Sequence, residues 1–139
     1  MFENEFMDIQ RDLINLCIEF SQGKADNIFA FIFQREDEFY FNSVFKIGKE
    51  YLTIRDLEYP IEVENDFMEL ATDIIKLFPA VFDNYNREKP IQYKLIFNVK
   101  TKKLKFELEY SKDIDTSKPC DSVFDEWKKK LSKKSFFLF

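Results

Sequence analysis

Apolar residues near the start of the chain recur at spacings of three and four: Phe2, Phe6, Ile9, Leu13, Leu16, Cys17 and Phe20. That period puts them on one stripe of an amphipathic helix over residues 2–22, with Gly23 as its C-terminal cap. From residue 27 the period becomes two. Phe29, Phe31 and Phe33 alternate with Ile28, Ala30 and Ile32, so both faces of a strand over 27–35 are apolar. Such a strand belongs inside a sheet that is covered on both sides. Glu36-Asp37-Glu38 forms a polar turn, and a second strand over 39–47 carries Phe39, Phe41, Phe45 and Ile47 on one face. Gly48-Lys49 allows another turn, followed by a short third strand over 50–55.

After Pro60 the helical period returns with Phe67, Leu70, Ile74, Leu77, Val81 and Tyr85, predicting a helix over 64–85. Pro79 lies inside it and is expected to kink it or end it early, because proline lacks the amide donor. Beyond Pro90, residues 92–99 and 104–110 read as a hairpin. Its second arm alternates Leu104, Phe106, Leu108 and Tyr110 with Lys105, Glu107 and Glu109, predicting one covered face and one wet face. A polar loop over 111–119 precedes a short helix over 121–133, capped by Asp121 or Ser122, with Val123, Phe124, Trp127 and Leu131 as its apolar side. The chain closes on Phe136-Phe137-Leu138-Phe139, an apolar tail suited to covering its own core or to strand addition. The order α-β-β-(β)-α-β-β-α predicts one α+β domain over residues 1–139: an antiparallel sheet with helices packed mainly on one face.

Composition narrows the function. The 139 residues are 45% hydrophobic and include 18 Phe but only two Gly, which excludes glycine-rich phosphate loops. Two cysteines are too few for a disulfide framework, and they point to a reducing, cytoplasmic setting. The first residues lack the basic and apolar regions of a secretory signal, and no run is long and apolar enough for a membrane span. Net charge is −5 but unevenly spread. Residues 1–73 hold 17 acids and 6 bases, a net −11, whereas residues 74–139 are net +6. That asymmetry fits a charged partner or a polar dimer.

The chain has no histidine, which removes the commonest general base and the usual zinc and iron ligand sets. No catalytic centre, metal or cofactor is expected. Glu107 and Glu109 share a strand face, as a glycosidase carboxylate pair could, but they read as an exposed polar face. Glu36-Asp37-Glu38 lacks the pattern of a calcium loop. The basic cluster Lys128-Lys129-Lys130 with Lys133 and Lys134 reads as a solvated helix face, and a pI near 4.9 opposes direct nucleic-acid binding.

Four stretches carry a family resemblance. They are Asn27-Ile28-Phe29-Ala30-Phe31-Ile32-Phe33 with Phe39-Tyr40-Phe41, then Asp56-Leu57 before the acidic start of the central helix. The third is Lys103-Leu104-Lys105-Phe106-Glu107-Leu108-Glu109-Tyr110 running into Ser111-Lys112-Asp113, and the last is Trp127 followed by lysines. In order and spacing this resembles the YezG-like bacterial immunity proteins over roughly residues 27–131. The chain departs from them in having Ile91 where the family has Trp, Lys102 or its neighbours where it places Gly in the last hairpin turn, and lysines after Trp127.

The resemblance implies neutralisation of a cognate toxin, often a basic nuclease, by direct protein–protein contact. Acids would supply charge complementary to a phosphate-binding site, and a few desolvated aromatic anchors would supply affinity. The candidate contact residues are Glu36, Asp37 and Glu38 first, then Glu58, Glu62, Glu64, Asp66, Glu69 and Asp73, and third Glu107 and Glu109. Helix-dipole complementarity is the competing explanation for the second group. A small acidic secretion chaperone holding an effector segment is the alternative function. The sequence leaves monomer and homodimer both open.

Overall fold

The structure, a computed structural model, describes residues 1–36 and 38–133. Asp37, Lys134 and the Phe136-Phe137-Leu138-Phe139 tail lie outside the described residues. Five strands form one antiparallel sheet: β1 Asn27–Arg35, β2 Glu38–Ile47, β3 Glu50–Thr53, β4 Gln92–Asn98 and β5 Lys103–Glu109, in the order β3-β2-β1-β4-β5. The helices are α1 Phe2–Phe20, α2 Ile61–Ile75, α3 Leu77–Asn84 and α4 Cys120–Lys133. α2 and α3 are consecutive, so the α+β order is α-β-β-β-α-β-β-α.

The two apolar rows of β1 decide the layering. Ile28, Ala30 and Ile32 are fully buried in a core shared with α1, α2 and α3. Phe29, Phe31 and Phe33 belong to a second core on the opposite face, closed by Phe124 and Leu131 of α4 with Trp127 beside them. Three helices therefore cover one face and α4 covers the other. α1 runs antiparallel to α2 and α3, as their ring contacts show. Phe20 stacks on Phe67 with centroids 4.1 Å apart, Phe6 meets Phe78 at 5.6 Å, and Phe2 meets Phe82 at 5.0 Å.

Several boundaries move from their sequence positions, each for a local reason. The central helix starts at Ile61 and breaks at Lys76, between α2 and α3. Pro79 causes the break, because its ring would meet the carbonyl of Ile75 four residues back. β3 stops at Thr53, where the Thr53 amide donates to Asp56 Oδ2 at 2.9 Å and the Asp56 amide donates to Thr53 Oγ1 at 3.3 Å. This reciprocal pair starts a 3-10 turn over Arg55–Leu57 in place of further strand. α4 begins at Cys120, so neither Asp121 nor Ser122 is its cap; Asp121 Oδ1 instead accepts the Ser122 amide within the first turn.

α1 ends at Phe20, and its cap differs from the one expected. The Gln22 amide donates to the Glu19 carbonyl and the Gly23 amide to the Ile18 carbonyl. This is the Schellman pattern, whose left-handed position falls on Gln22 at φ 58°, one residue before the glycine. The β4–β5 turn has the same feature. Asn98 Oδ1 accepts the Lys100 and Thr101 amides, and Lys102 closes the turn at φ 61°. Left-handed backbone strains a residue that has a Cβ. Gln22→Gly and Lys102→Gly are each expected to raise unfolding free energy by about 0.5–1 kcal/mol, measured by chemical denaturation, and the two gains should add.

Candidate functional site

Helix α2 carries five acids and no base. At about 100° per residue, Glu62, Asp66, Glu69 and Asp73, spaced four, three and four apart, share one stripe. All four are exposed. The stripe lies on the side opposite Phe67, Ala71 and Ile75, which pack into the core. Along its flank run Val63, Leu70 and, just past the break, Leu77, which are 44%, 53% and 48% exposed. Leu70 and Leu77 belong to the apolar period that predicts this helix, yet both are exposed, as is Val63 outside that period. Their repeat of seven, offset from the buried Phe67-Ala71-Ile75 row, was the available signal for an outward apolar edge.

The other candidate acids do not join this stripe. Glu64 turns toward the sheet side, 17% exposed, with its carboxylate 3.7 Å from Arg55. Glu58 is exposed in left-handed backbone at the end of the 3-10 turn. Glu36 is exposed in the β1–β2 turn at φ 48°, and Glu38 is paired with Arg35 at 2.9 Å. Asp37 lies outside the described residues. Glu107 is exposed. Glu109 corrects the expectation of an open strand face, for its side chain is 25% exposed and sits 3.3 Å from Lys94. Lys94 in turn lies 5.6 Å from the Trp127 ring centroid, so α4 draws this part of the face into contact.

The charge asymmetry of the sequence becomes an asymmetry of layers. α1, α2 and α3 together carry eleven acids against one base, Arg11. Across the sheet, α4 sets Lys128, Lys129, Lys130 and Lys133 against Asp121, Asp125 and Glu126 and is close to neutral. One side of the molecule is thus strongly anionic, and the α2 stripe is its densest line of charge.

Reactive groups are held quiet. Burial pushes the Cys17 thiol up to about 12, although a Ser43 hydrogen bond opposes it. Cys120 is partly exposed, and its thiol is also raised, by desolvation first and then by Glu38 and Asp121. The two cysteines pack on opposite faces of the sheet and cannot bridge within one chain. The Ser117 hydroxyl and amide both donate to Asp115 and lower its carboxyl below the usual range, which keeps it an anion. Among the described residues no group of three His, Cys, Asp or Glu could hold a metal ion, and no helix is long and apolar enough to cross a membrane.

No protein-family model and no curated protein matches the chain.

A thiol reagent should modify one cysteine of the native protein, Cys120, slowly at neutral pH and faster as pH rises, because only the thiolate reacts. Cys17 should react only after denaturation. Mass spectrometry of peptides labelled with and without denaturant checks both.

Proposed function

We propose that the chain is an immunity protein, which neutralises a cognate bacterial toxin in the cytoplasm by binding it through the anionic helix layer. The observation that carries this reading is that the α2 stripe works against the helix it sits on. Glu62 favours the N-terminal end of the dipole, but Asp73 occupies the last turn, where a negative charge is unfavourable and no base stands within the helix. Lys76, the first residue beyond α2, offsets this only in part. The pairs Glu62/Asp66, Asp66/Glu69 and Glu69/Asp73 each set like charges one turn apart, at roughly 0.2–0.5 kcal/mol per pair. Dipole complementarity accounts for Glu62 and Glu64 and leaves Asp66, Glu69 and Asp73 unexplained. A basic partner explains all three.

The neighbouring apolar row completes the chemistry of a binding surface. Leu70, with Val63 and Leu77 along the same edge, offers apolar area to be desolvated, and the acids steer association and suppress wrong partners. A toxin that holds phosphates, such as a nuclease, presents the complementary positive field.

The test is co-expression with the toxic domain encoded beside this chain, with binding measured by calorimetry. The native chain should restore growth. Asp66→Lys/Glu69→Lys/Asp73→Lys should abolish rescue while leaving the fold intact, since all three side chains are exposed. Asp73→Lys alone separates the two readings of the stripe: it should stabilise the protein by about 0.3–1 kcal/mol and yet weaken binding. Full rescue by the triple variant would move the contact off α2. Failure of the native chain to bind or protect would end the neutralisation reading.

A further inference from the structure

A groove of about 570 Å³ opens between the start of α1, the end of α3 and β5. Its volume is that of a small-molecule site. Five aromatic rings line it: Phe2, Phe6, Phe82, Phe106 and Tyr110. Four of them are in contact. Phe2 and Phe6 stack at 5.5 Å, both meet Phe82 edge-on at 5.0 and 5.5 Å, and Phe6 meets Phe106 edge-on at 5.3 Å. The spacing of four puts Phe2 and Phe6 on one side of α1, and the alternation of β5 turns Phe106 toward the same layer. Phe2, Phe6 and Phe82 are buried, whereas Phe106 is 44% exposed.

The charges at the groove decide what it can hold. Three charged side chains line it: Glu3, Arg87 and Glu88. Arg87 lies 3.5 Å from Glu3, and its guanidinium sits 3.9 Å from the centroid of the Phe2 ring. Those two charges offset each other. Glu88 is exposed and has no ion pair among the described residues. The lining therefore carries one surplus negative charge beside a wall of aromatic rings. Ring faces attract cations through their quadrupole, and Arg87 over Phe2 is that interaction at the groove's own edge. With the face of Phe2 taken, Phe106 and Tyr110 are the partly exposed rings. An anionic ligand would meet Glu88 as a like charge and would find Arg87 already paired.

We propose that this groove binds a small amphipathic organic cation. Its apolar chain lies along the phenylalanine rings, and its ammonium group takes Phe106 and Tyr110 as ring faces and Glu88 as counter-charge. The site is independent of the toxin-binding reading. α2 packs over β2, with Phe67 against Phe41, at the other end of the sheet from β5. The six residues beyond Lys133 span at most about 20 Å and set out from α4, across the sheet from the groove. Phe137 and Phe139 enter the test as the competing occupant.

Calorimetry of the full chain with three probes of one chain length tests the proposal: octyltrimethylammonium, octanol and octanoate, each below its micellar concentration. The ammonium should bind with one-to-one stoichiometry and about tenfold or more tighter than octanoate, with octanol between them. Glu88→Lys should weaken the ammonium about three- to tenfold and strengthen octanoate. Phe106→Leu keeps the apolar area and removes the ring face. It should leave octanol nearly unchanged and narrow the gap between octanol and the ammonium. Both side chains are exposed, and circular dichroism of each variant confirms that the fold tolerates the change. Three probes that bind alike, octanoate as the tightest, or an ammonium affinity that neither variant moves would overturn the proposal. So would the absence of ammonium binding at millimolar concentration. Binding that emerges only in Phe137→Asp/Phe139→Asp would make the chain's own end the occupant and would count against it as well.

Discussion

Burial of β1 on both of its faces is the constraint from which the architecture follows. Six consecutive apolar side chains, Ile28 to Phe33, leave no face of that strand for water. A neighbour is needed on each edge to pair its backbone, and a helix layer is needed on each side to cover its rows. β2 and β4 meet the first need. The layer of α1, α2 and α3 meets half of the second, and α4 meets the rest. The energetic weight is large, because truncating a buried phenylalanine such as Phe31 removes roughly 3–5 kcal/mol from a total stability of about 5–15 kcal/mol. α4 is therefore not an appendage. Without it Phe29, Phe31 and Phe33 would stand in solvent, which is why a short, lysine-rich helix with a single tryptophan is retained across the sheet from the others.

That division of labour frees the other helix layer to specialise. The aromatic contacts of Phe20 with Phe67, Phe6 with Phe78 and Phe78 with Tyr93 anchor α1, α2 and α3 from their inner sides. Aromatic pairs of this kind contribute about 0.5–1.5 kcal/mol each beyond area burial. The like-charge pairs along the outer side of α2 cost less than one such contact apiece. The fold can therefore carry an unfavourable surface line without losing the helix. An outward stripe that opposes local stability calls for an explanation in binding rather than in folding.

How much of this was legible in the sequence depended on whether the signal was periodic or local. The alternation through residues 28–33 revealed a central strand with cover on both sides, because period two with two apolar rows has few other solutions. The break of the central helix was implicit in Pro79, but its position at Lys76 required knowing that proline disturbs the carbonyl four residues earlier in the folded helix. Caps were less legible. Gln22 and Lys102 take left-handed backbone where glycine was expected or adjacent, and side-chain identity alone does not show where tertiary packing will impose that strain. Among the candidate acids, the exposed line on α2 followed from spacing. The pairings of Glu64 with Arg55 and of Glu109 with Lys94 did not, because they join residues that sequence separation keeps apart. The outward row of Val63, Leu70 and Leu77 was hidden by being apolar, since hydrophobic residues are assigned to the core until something else is seen to fill it.

The two edges of the sheet show the same economy by different means. β3 is four residues long and is closed off by the exchange between Thr53 and Asp56, which turns the chain into a 3-10 turn before an edge of any length can form. β5 runs for seven residues, and among the described residues its apolar face is left partly bare by the helix layer, with Phe106 44% exposed. Length is not what limits this edge; charge is. Lys103, Lys105, Glu107 and Glu109 alternate with Leu104, Phe106 and Leu108, and charged side chains along an edge strand oppose indiscriminate pairing with other extended chains. One edge is thus blunted by being short and the other by being charged.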